Sequence, residues 1–521
     1  MNFGFIIDNR KCIGCHACTV ACKSEHDVPV GVNRTWVKYI EKGEFPDTRR
    51  LFSVMRCNHC ADAPCVDICP TEALHTRKDG IVDFDDRRCI SCKACTQACP
   101  YDAIFINPET KTANKCNYCT HRTDIGLEPA CVVVCPEHAI ISGDMDNPES
   151  EISHLLARET VSVRKAEKGT NPKLFYIDGD KASLDPTEAH AESDYMWSSQ
   201  SMGVGKYAKY ADERQAASTA QAQSGLVQIE PLKKTPRRVY DAPSKGVHWG
   251  WEVSAYVLTK AIAAGAFMIP VLGSYFVYNV PDIVKLIGTL VALVFLAATG
   301  ALLVMDLGRP DRFLYVLLRP QWKSWLTRGG YIISIYGALL TAWLGAWYFG
   351  YTELLKYIEP IGVVFAVLAA IYTAFLFAQA KGRDFWQSPM LGVHMVLHSL
   401  MAGFAVFLIV NVFLIVNIGL TVVISTLTAA FLLIHLLTLL IEMSTTHSTD
   451  DAHEVVEMIV KGRFAAAFWF GMVMIGNIIP MVLLYFSHEI WAVGISGVMI
   501  MIGLGFAQHI WVKAPQLIPL S

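Results

Sequence analysis

The sequence predicts a chain of two unlike parts: a cysteine-rich domain over residues 1–185 and an all-α domain of eight membrane spans over 249–521. A linker over 186–248 joins them. Three observations predict this division. All sixteen cysteines fall between Cys12 and Cys135, every long apolar run lies after residue 248, and residues 186–245 are rich in Ser, Ala, Gln and charge.

The cysteines come in four groups of four. Cys12, Cys15, Cys18 and Cys22 share their spacing with Cys89, Cys92, Cys95 and Cys99; the others are Cys57, Cys60, Cys65, Cys69 and Cys116, Cys119, Cys131, Cys135. A C-x2-C-x2-C run supplies three thiolates to one cubane cluster from a single tight loop, and the fourth cysteine reaches the other cluster of a pair. Three groups end in Cys-Pro, at Pro70, Pro100 and Pro136. Sixteen ligands therefore predict four [4Fe–4S] clusters with none left over. Disulfides do not explain such loops without a signal peptide, and zinc sites rarely end in Cys-Pro. The N-terminus enters the first cysteine loop almost at once, leaving no room for a signal peptide. The loops also form an internal repeat that looks like two bacterial-type dicluster ferredoxin units, one inserted in the other.

Residues 141–180 read as a folded extension of this domain, closing on the apolar Leu174-Phe175-Tyr176-Ile177. Residues 186–245 carry too little apolar surface to offset their ordering entropy, which predicts the linker.

A membrane span needs about 20 mostly apolar residues to cross roughly 30 Å of hydrocarbon. Eight runs qualify, near 250–278, 284–305, 329–349, 359–380, 390–416, 419–442, 464–487 and 490–511; they explain a hydrophobic content of 53 %. With eight spans, both ends of the membrane domain and the even-numbered loops share one side. That side holds fifteen Lys and Arg, from Lys233 to Lys513, against Lys285 and Lys356 opposite. Basic residues stay in the cytoplasm during insertion, so the cysteine domain is expected on the cytoplasmic face of the inner membrane. The formal net charge of −3 says little, because cluster-bound thiolates change it.

The four cysteine groups, with C-x2-C-x11-C-x3-C last, resemble the four-cluster electron-transfer subunits of complex iron–sulfur molybdoenzymes. The stretch Gly143-Asp144-Met145-Asp146-Asn147-Pro148-Glu149-Ser150 is similar to the segment after the last cysteine in that family. The membrane half resembles the polysulfide-reductase membrane subunit (NrfD-type) family through Asp306-Leu307-Gly308-Arg309-Pro310-Asp311-Arg312-Phe313 and the Tyr372-Thr373 step. Ala374 stands where that family usually has Gly. The resemblance implies an α+β dicluster-ferredoxin-like domain of two nested units, followed by the eight-helix domain. It also implies a nested pairing of ligands, which the spacing alone leaves open. Cys12, Cys15 and Cys18 would pair with Cys135, and Cys116, Cys119 and Cys131 with Cys22. Cys57, Cys60 and Cys65 would take Cys99, and Cys89, Cys92 and Cys95 would take Cys69.

Four clusters in a row make a wire, and its membrane end is expected at a quinone, menaquinone or another. Ionisable groups at membrane depth are costly and mark function by default. Lys260 lies deep in the first run, with Glu252 two turns earlier on the same face. His394 and His398 are i,i+4 neighbours on one helix face, and His435 and Glu442 share another. These, with Tyr372, Asp306 and Arg309, are the candidate quinone and proton residues. Lys260 and Tyr372 are expected to hydrogen-bond the ring oxygens, and Glu252 and His394 to exchange protons. Each also has a plain reading as a helix–helix hydrogen bond, and Asp306 and Arg309 as a helix cap paired internally. His394 or His398 with His435 could alternatively ligate haem, but the resemblance argues for none.

The chain has no Gly-rich dinucleotide fingerprint, so substrate chemistry is expected on a partner. The resemblance favours a molybdopterin-type catalytic subunit, with the quinone pool and lipid bilayer as further partners and no nucleic acid. Two alternatives remain: a redox-driven proton-translocating module, and a membrane-anchored ferredoxin serving a cytochrome or soluble partner.

Overall fold

The computed structural model describes residues 1–43, 46–191, 236–242, 245–276, 280–414, 418–445, 449–487 and 489–521. They divide into two compact units. One comprises Met1–Val66, Glu72–His248 and Pro519–Ser521; the other comprises Asp67–Thr71 and Trp249–Ile518.

The first unit is built on two four-stranded sheets. In one, β1 (Phe3–Asp8) is flanked by β8 (Ile140–Asp144), antiparallel, and by β10 (Leu174–Ile177), parallel; β9 (Val161–Ser162) pairs with the far edge of β10. Alternate residues of β1 serve opposite faces, as a strand period of two requires. Phe5 and Ile7 join Tyr118, Leu174 and Tyr176 on one side, while Ile6 meets Ile141, Ile152 and Ile177 on the other. Ile152 comes from α2 (Glu151–Arg158). Ser150 caps that helix by accepting from Ser153 N, Glu151 sits in its first turn and Arg158 in its last, so both charges suit the dipole. Gly143 allows the helix to lie this close: a Cβ there would stand 2.9 Å from Ile152 Cγ2.

The second sheet orders as β11-β12-β2-β3, from His190–Ala191, Arg237–Tyr240, Thr35–Lys42 and Arg49–Arg56. It amends the expected linker of 186–248, because both of its ends are strands. Arg237 pairs in register with Glu41, donating from Nε to Oε2 at 2.9 Å, and Trp36 Nε1 donates to Asp241 at 2.8 Å. A four-residue strand whose partner is two hundred residues away leaves no periodicity to read. The rest of that stretch, 192–235, lies outside the described residues. Two hairpins complete the unit, β4–β5 (Leu74–Thr76 with Val82–Phe84) and β6–β7 (Phe105–Ile106 with Ala113–Asn114).

The second unit holds eight helices long and apolar enough to cross a membrane: Trp251–Phe276, Asp282–Met305, Trp325–Tyr348, Thr352–Gln379, Met390–Phe413, Gly419–Ser444, Ala467–Phe486 and Ile490–Leu517. Each falls on one expected run. The third and fourth begin a turn or two earlier than their runs, because their first turns carry Arg328, Glu353 and Lys356 and dilute the apolar signal. The first span is 72 % buried within the protein, the second and third 28 %, so the first is the hub of the bundle. Glycine lets it meet the fifth span closely, for a Cβ on Gly265 would lie 1.9 Å from Ser399 O and one on Gly403 2.4 Å from Gly265 O. The seventh span is wound as a π-helix over Ala467–Ile478. A surface helix, α3 (Asp450–Val460), precedes it, capped by Thr449.

Candidate functional site

In the first unit the cysteine loops share a backbone device that composition does not reveal. In the first C-x2-C step of each group the residue before the second cysteine has positive φ: Gly14 (70°), His59 (43°), Ser91 (58°) and Tyr118 (64°). Only one of the four is glycine. Left-handed residues curl each loop so that successive amide N–H groups and thiols face one concavity, an anion-binding arrangement common at iron–sulfur sites. For His59, Ser91 and Tyr118 this conformation costs energy that the surrounding structure must offset.

All sixteen cysteines are free of disulfides, and most are buried. Cys12, Cys15, Cys18 and Cys135 line one pocket, and Cys57, Cys60, Cys65 and Cys99 line another. These are two of the four quartets expected from the resemblance. Cys22 feels the charges of Cys116 and Cys131, two members of a third. Burial pushes the Cys18 thiol up to about 12, although Arg56 pulls it down. Metal binding must therefore displace protons here, which a cluster does outright.

The charges nearby fit such a group. Arg56 is fully buried, and one guanidinium nitrogen donates to Cys131 Sγ at 3.2 Å. Its Nε and other terminal nitrogen have no hydrogen-bond partner among the described residues. A buried cation left so poorly matched calls for an anion, and a thiolate-ligated cluster is one. Lys115, also fully buried, donates to Val82 O and Cys116 O. Sulfur-directed donors complete the surroundings: Ala139 N to Cys135 Sγ at 3.2 Å, and Ala113 N to Cys89 Sγ at 3.4 Å. His26 Nε2 lies 3.1 Å from Cys119 Sγ. Burial, aided by Arg34, holds His26 down to about 4, so at neutral pH it is an uncharged donor to sulfur.

In the second unit the candidate residues gather into two groups. In the first, Lys260 of the first span reaches the fourth, donating from Nζ to Ala370 O at 3.2 Å and to Thr373 Oγ1, with its ammonium 4.5 Å from the Tyr372 ring centroid. Gly329 of the third span makes room for that ring, since a Cβ would stand 2.3 Å from it. Part of the lysine's donor capacity is thus spent within the protein, as its plain reading as an interhelical tie would have it. In the second group, His394 Nε2 lies 2.8 Å from Glu442 Oε2, and His398 Nε2 lies 3.0 Å from His435 Nε2. Glu252 is half-buried in the first turn of the first span. The carboxylate beside His394 is Glu442.

Asp306 ends the second span as its C-cap, while Arg309 makes a two-pronged pair with Asp311 at 3.0 Å rather than serving only Asp306. Sequence reading passed over Asn477 and Gln508, which are neutral and so escape a search for charge. Asn477 Oδ1 is 2.8 Å from His435 Nδ1, and Gln508 Nε2 is 2.8 Å from His398 Nδ1. The buried pair of Lys285 and Glu359, 3.1 Å apart, was also missed, since both stand near helix ends.

Comparison with known proteins agrees with this division. Two models described as 4Fe-4S dicluster domain match residues 11–74 and 48–145. A tetrathionate reductase subunit of Salmonella typhimurium is 43 % identical over 194 residues, covering 36 % of this chain and 78 % of its own length. A polysulfide reductase polypeptide of Wolinella succinogenes is 41 % identical, covering 35 % of this chain and 97 % of its own. A putative dimethyl sulfoxide reductase iron-sulfur subunit of Halobacterium salinarum is 35 % identical over 257 residues, or 44 % of this chain and 92 % of its own. An iron–sulfur electron-transfer module is here fused to a multi-pass membrane domain. The model described as polysulphide reductase, NrfD matches residues 241–518, more than half of the sequence, and the chain belongs to that family.

Proposed function

We propose that this chain is the electron-transfer and membrane-anchor subunit of a reductase-type complex, passing electrons between a separate catalytic subunit and a membrane quinone. The observation that carries the proposal is the joining, in one polypeptide, of sixteen cysteines in cluster-type loops to an NrfD membrane domain with buried polar groups. Four [4Fe–4S] clusters, held in the nested pairing, supply one-electron carriers when bound. The residues around them set the working range: Arg56 and the N–H groups directed at sulfur stabilise added negative charge, and so favour the reduced state.

At the membrane end, Lys260 and Tyr372 are the groups assigned to the quinone oxygens. Lys260 Nζ is a donor already oriented by Thr373 and Ala370, and the Tyr372 hydroxyl can donate to a second oxygen. Quinone reduction takes up two electrons and two protons, and Glu252 is the candidate to relay the protons. Haem does not enter this reading, because His398 and His435 are close enough to hydrogen-bond and leave no gap between them for a porphyrin. The catalytic partner is assigned to the molybdopterin class, in keeping with relatives named as subunits of tetrathionate, polysulfide and dimethyl sulfoxide reductases. The fifteen-to-two distribution of basic residues favours a cytoplasmic position for the cysteine-rich unit.

The test is Lys260→Met in the purified complex. Losing a hydrogen bond to a buried polar group costs about 1–3 kcal/mol, or roughly ten- to a hundredfold in quinone affinity. Quinone-coupled turnover should fall accordingly, while turnover with an artificial dye that exchanges electrons with the clusters should survive. Full quinone activity in both Lys260→Met and Tyr372→Phe would move the pocket elsewhere.

A further inference from the structure

The fifth and sixth spans bring three histidines, His394, His398 and His435, to one point in the apolar interior. One ring nitrogen of each lies within 4.8 Å of the others, and all three side chains are at most 3 % exposed. We infer that these three histidines bind zinc and so clamp the two spans together, with Glu442 beside His394.

The geometry comes first. Zinc holds imidazole nitrogen at about 2.0–2.1 Å and prefers a tetrahedron, which sets neighbouring ligand atoms about 3.3 Å apart. His398 Nε2 and His435 Nε2 are 3.0 Å apart, and His394 Nε2 and Glu442 Oε2 are 2.8 Å apart. The three ring nitrogens, within 4.8 Å of one another, need only side-chain adjustment to reach that spacing.

The second argument is what lies behind the ligands. A metal-bound imidazole almost always donates its other N–H to a carbonyl, carboxylate or water, which fixes the tautomer. His435 Nδ1 is 2.8 Å from Asn477 Oδ1, a carbonyl oxygen that takes the proton there and leaves the Nε2 lone pair facing the centre. Asn477 is itself held by Nδ2 donating to Met472 O within the π-wound segment, a geometry that often marks functional positions. His398 Nδ1 faces the Gln508 amide at 2.8 Å. The oxygen and nitrogen of an amide exchange places on a half-turn, so Gln508 Oε1 can accept from His398 Nδ1–H. Glu442 is anchored by Ser388 Oγ, which donates to Oε1 at 3.3 Å and leaves Oε2 for His394.

The third argument is what the protein alone leaves undone. Neither ring nitrogen of His394 has an aligned hydrogen-bond partner among the described residues, nor does Glu442 Oε2, despite the short distance between them. A metal-free chain running from Gln508 through His398 and His435 to Asn477 satisfies two of the histidines and strands the third. A buried imidazole with neither nitrogen aligned to a partner is costly, and a cation bound by His394 relieves that cost. Three imidazoles suit zinc among the d-block ions.

The experiment measures zinc per chain in the detergent-purified complex from zinc-replete cells, by X-ray fluorescence, and reads the coordination shell at the zinc edge. One zinc per chain is expected, with three nitrogen scatterers at about 2.0–2.1 Å. His398→Gln and His435→Gln should lose it, and Asn477→Leu should weaken its retention against chelator about 10- to 100-fold. His453→Gln is the control: that histidine is exposed and pairs only loosely with Glu457. An unchanged helical circular dichroism spectrum and a monodisperse detergent-solubilised chain in each variant exclude simple misfolding. Zinc well below one per chain in the parent complex, or a full complement in His435→Gln, overturns the proposal. Quinone-coupled turnover plays no part in the readout, so failure of the quinone assignment leaves this test intact.

Discussion

The two units solve opposite problems with buried polar groups. In the cysteine-rich unit the ligands come from short loops, three at a time, and cations such as Arg56 and Lys115 are buried beside them. In the membrane unit no loop contributes a ligand set. Lys260 meets Thr373 across two spans, and His398 meets His435 across two others. The first arrangement is local in sequence for three ligands of each pocket, and only the fourth comes from a distant loop. The second exists only where particular helices cross, and glycine decides where that is. Damage to a loop should therefore remove one cofactor and leave the fold, whereas damage to a crossing should unsettle the whole bundle.

The largest effect expected from this contrast is Cys65→Ser. It removes one of three ligands from a single loop, and iron content should fall by about four per chain, the content of one cubane cluster. Electron transfer from dye to quinone should be lost while the membrane helices still fold, as circular dichroism would record. Retention of a full iron complement would break the assignment of Cys65 as a ligand.

Gly403→Leu attacks the other kind of site. A side chain there must enter the space of Gly265 O, and overpacking of this kind costs about 1–3 kcal/mol or more. The melting temperature of the detergent-solubilised protein should drop, with cluster iron per folded chain unchanged. An unaltered melting temperature would mean that the first and fifth spans do not cross so closely.

A subtler comparison is Arg56→Met, which keeps bulk and removes charge. With less positive charge beside Cys131, the reduced state loses stabilisation and the potential of the nearby cluster should fall. For a one-electron couple about 59 mV corresponds to 1.4 kcal/mol, so redox titration followed by EPR can resolve even part of a charged hydrogen bond. A rise in potential would contradict the role given to the buried guanidinium.

The smallest effect concerns Lys38, buried in β2 with no hydrogen-bond partner for its ammonium among the described residues. Burial, reinforced by Arg238, lowers its pKa from 10.5 to about 7. Between those values the unfolded chain binds a proton that the native chain does not, so stability contributed through this group rises with pH from about 7 toward 10.5 and is lost as pH falls through 7. Lys38→Met should flatten that rise in melting temperature measured from pH 6.5 to 9. A slope unchanged by the substitution would assign it to other groups.

The sequence by itself determined the cysteine groups, the eight spans and the division between them, because each is a local pattern. Thiolate spacing is fixed by the size of a loop, and a span is a run long enough to cross hydrocarbon. It also singled out Lys260, Tyr372, His394, His398, His435 and Glu442, since charge and imidazole are conspicuous in apolar runs. Only the tertiary structure decided which of these meet: Lys260 with Thr373 and the Tyr372 ring, and His394 with Glu442. It alone assigned Asn477 and Gln508 to the histidines, and returned Arg237–Tyr240 from the expected linker to a sheet. The reason is physical: helix crossings and strand partners are chosen by packing between segments far apart in the chain, and a neutral amide or a four-residue strand leaves no periodic mark of the partner it will find.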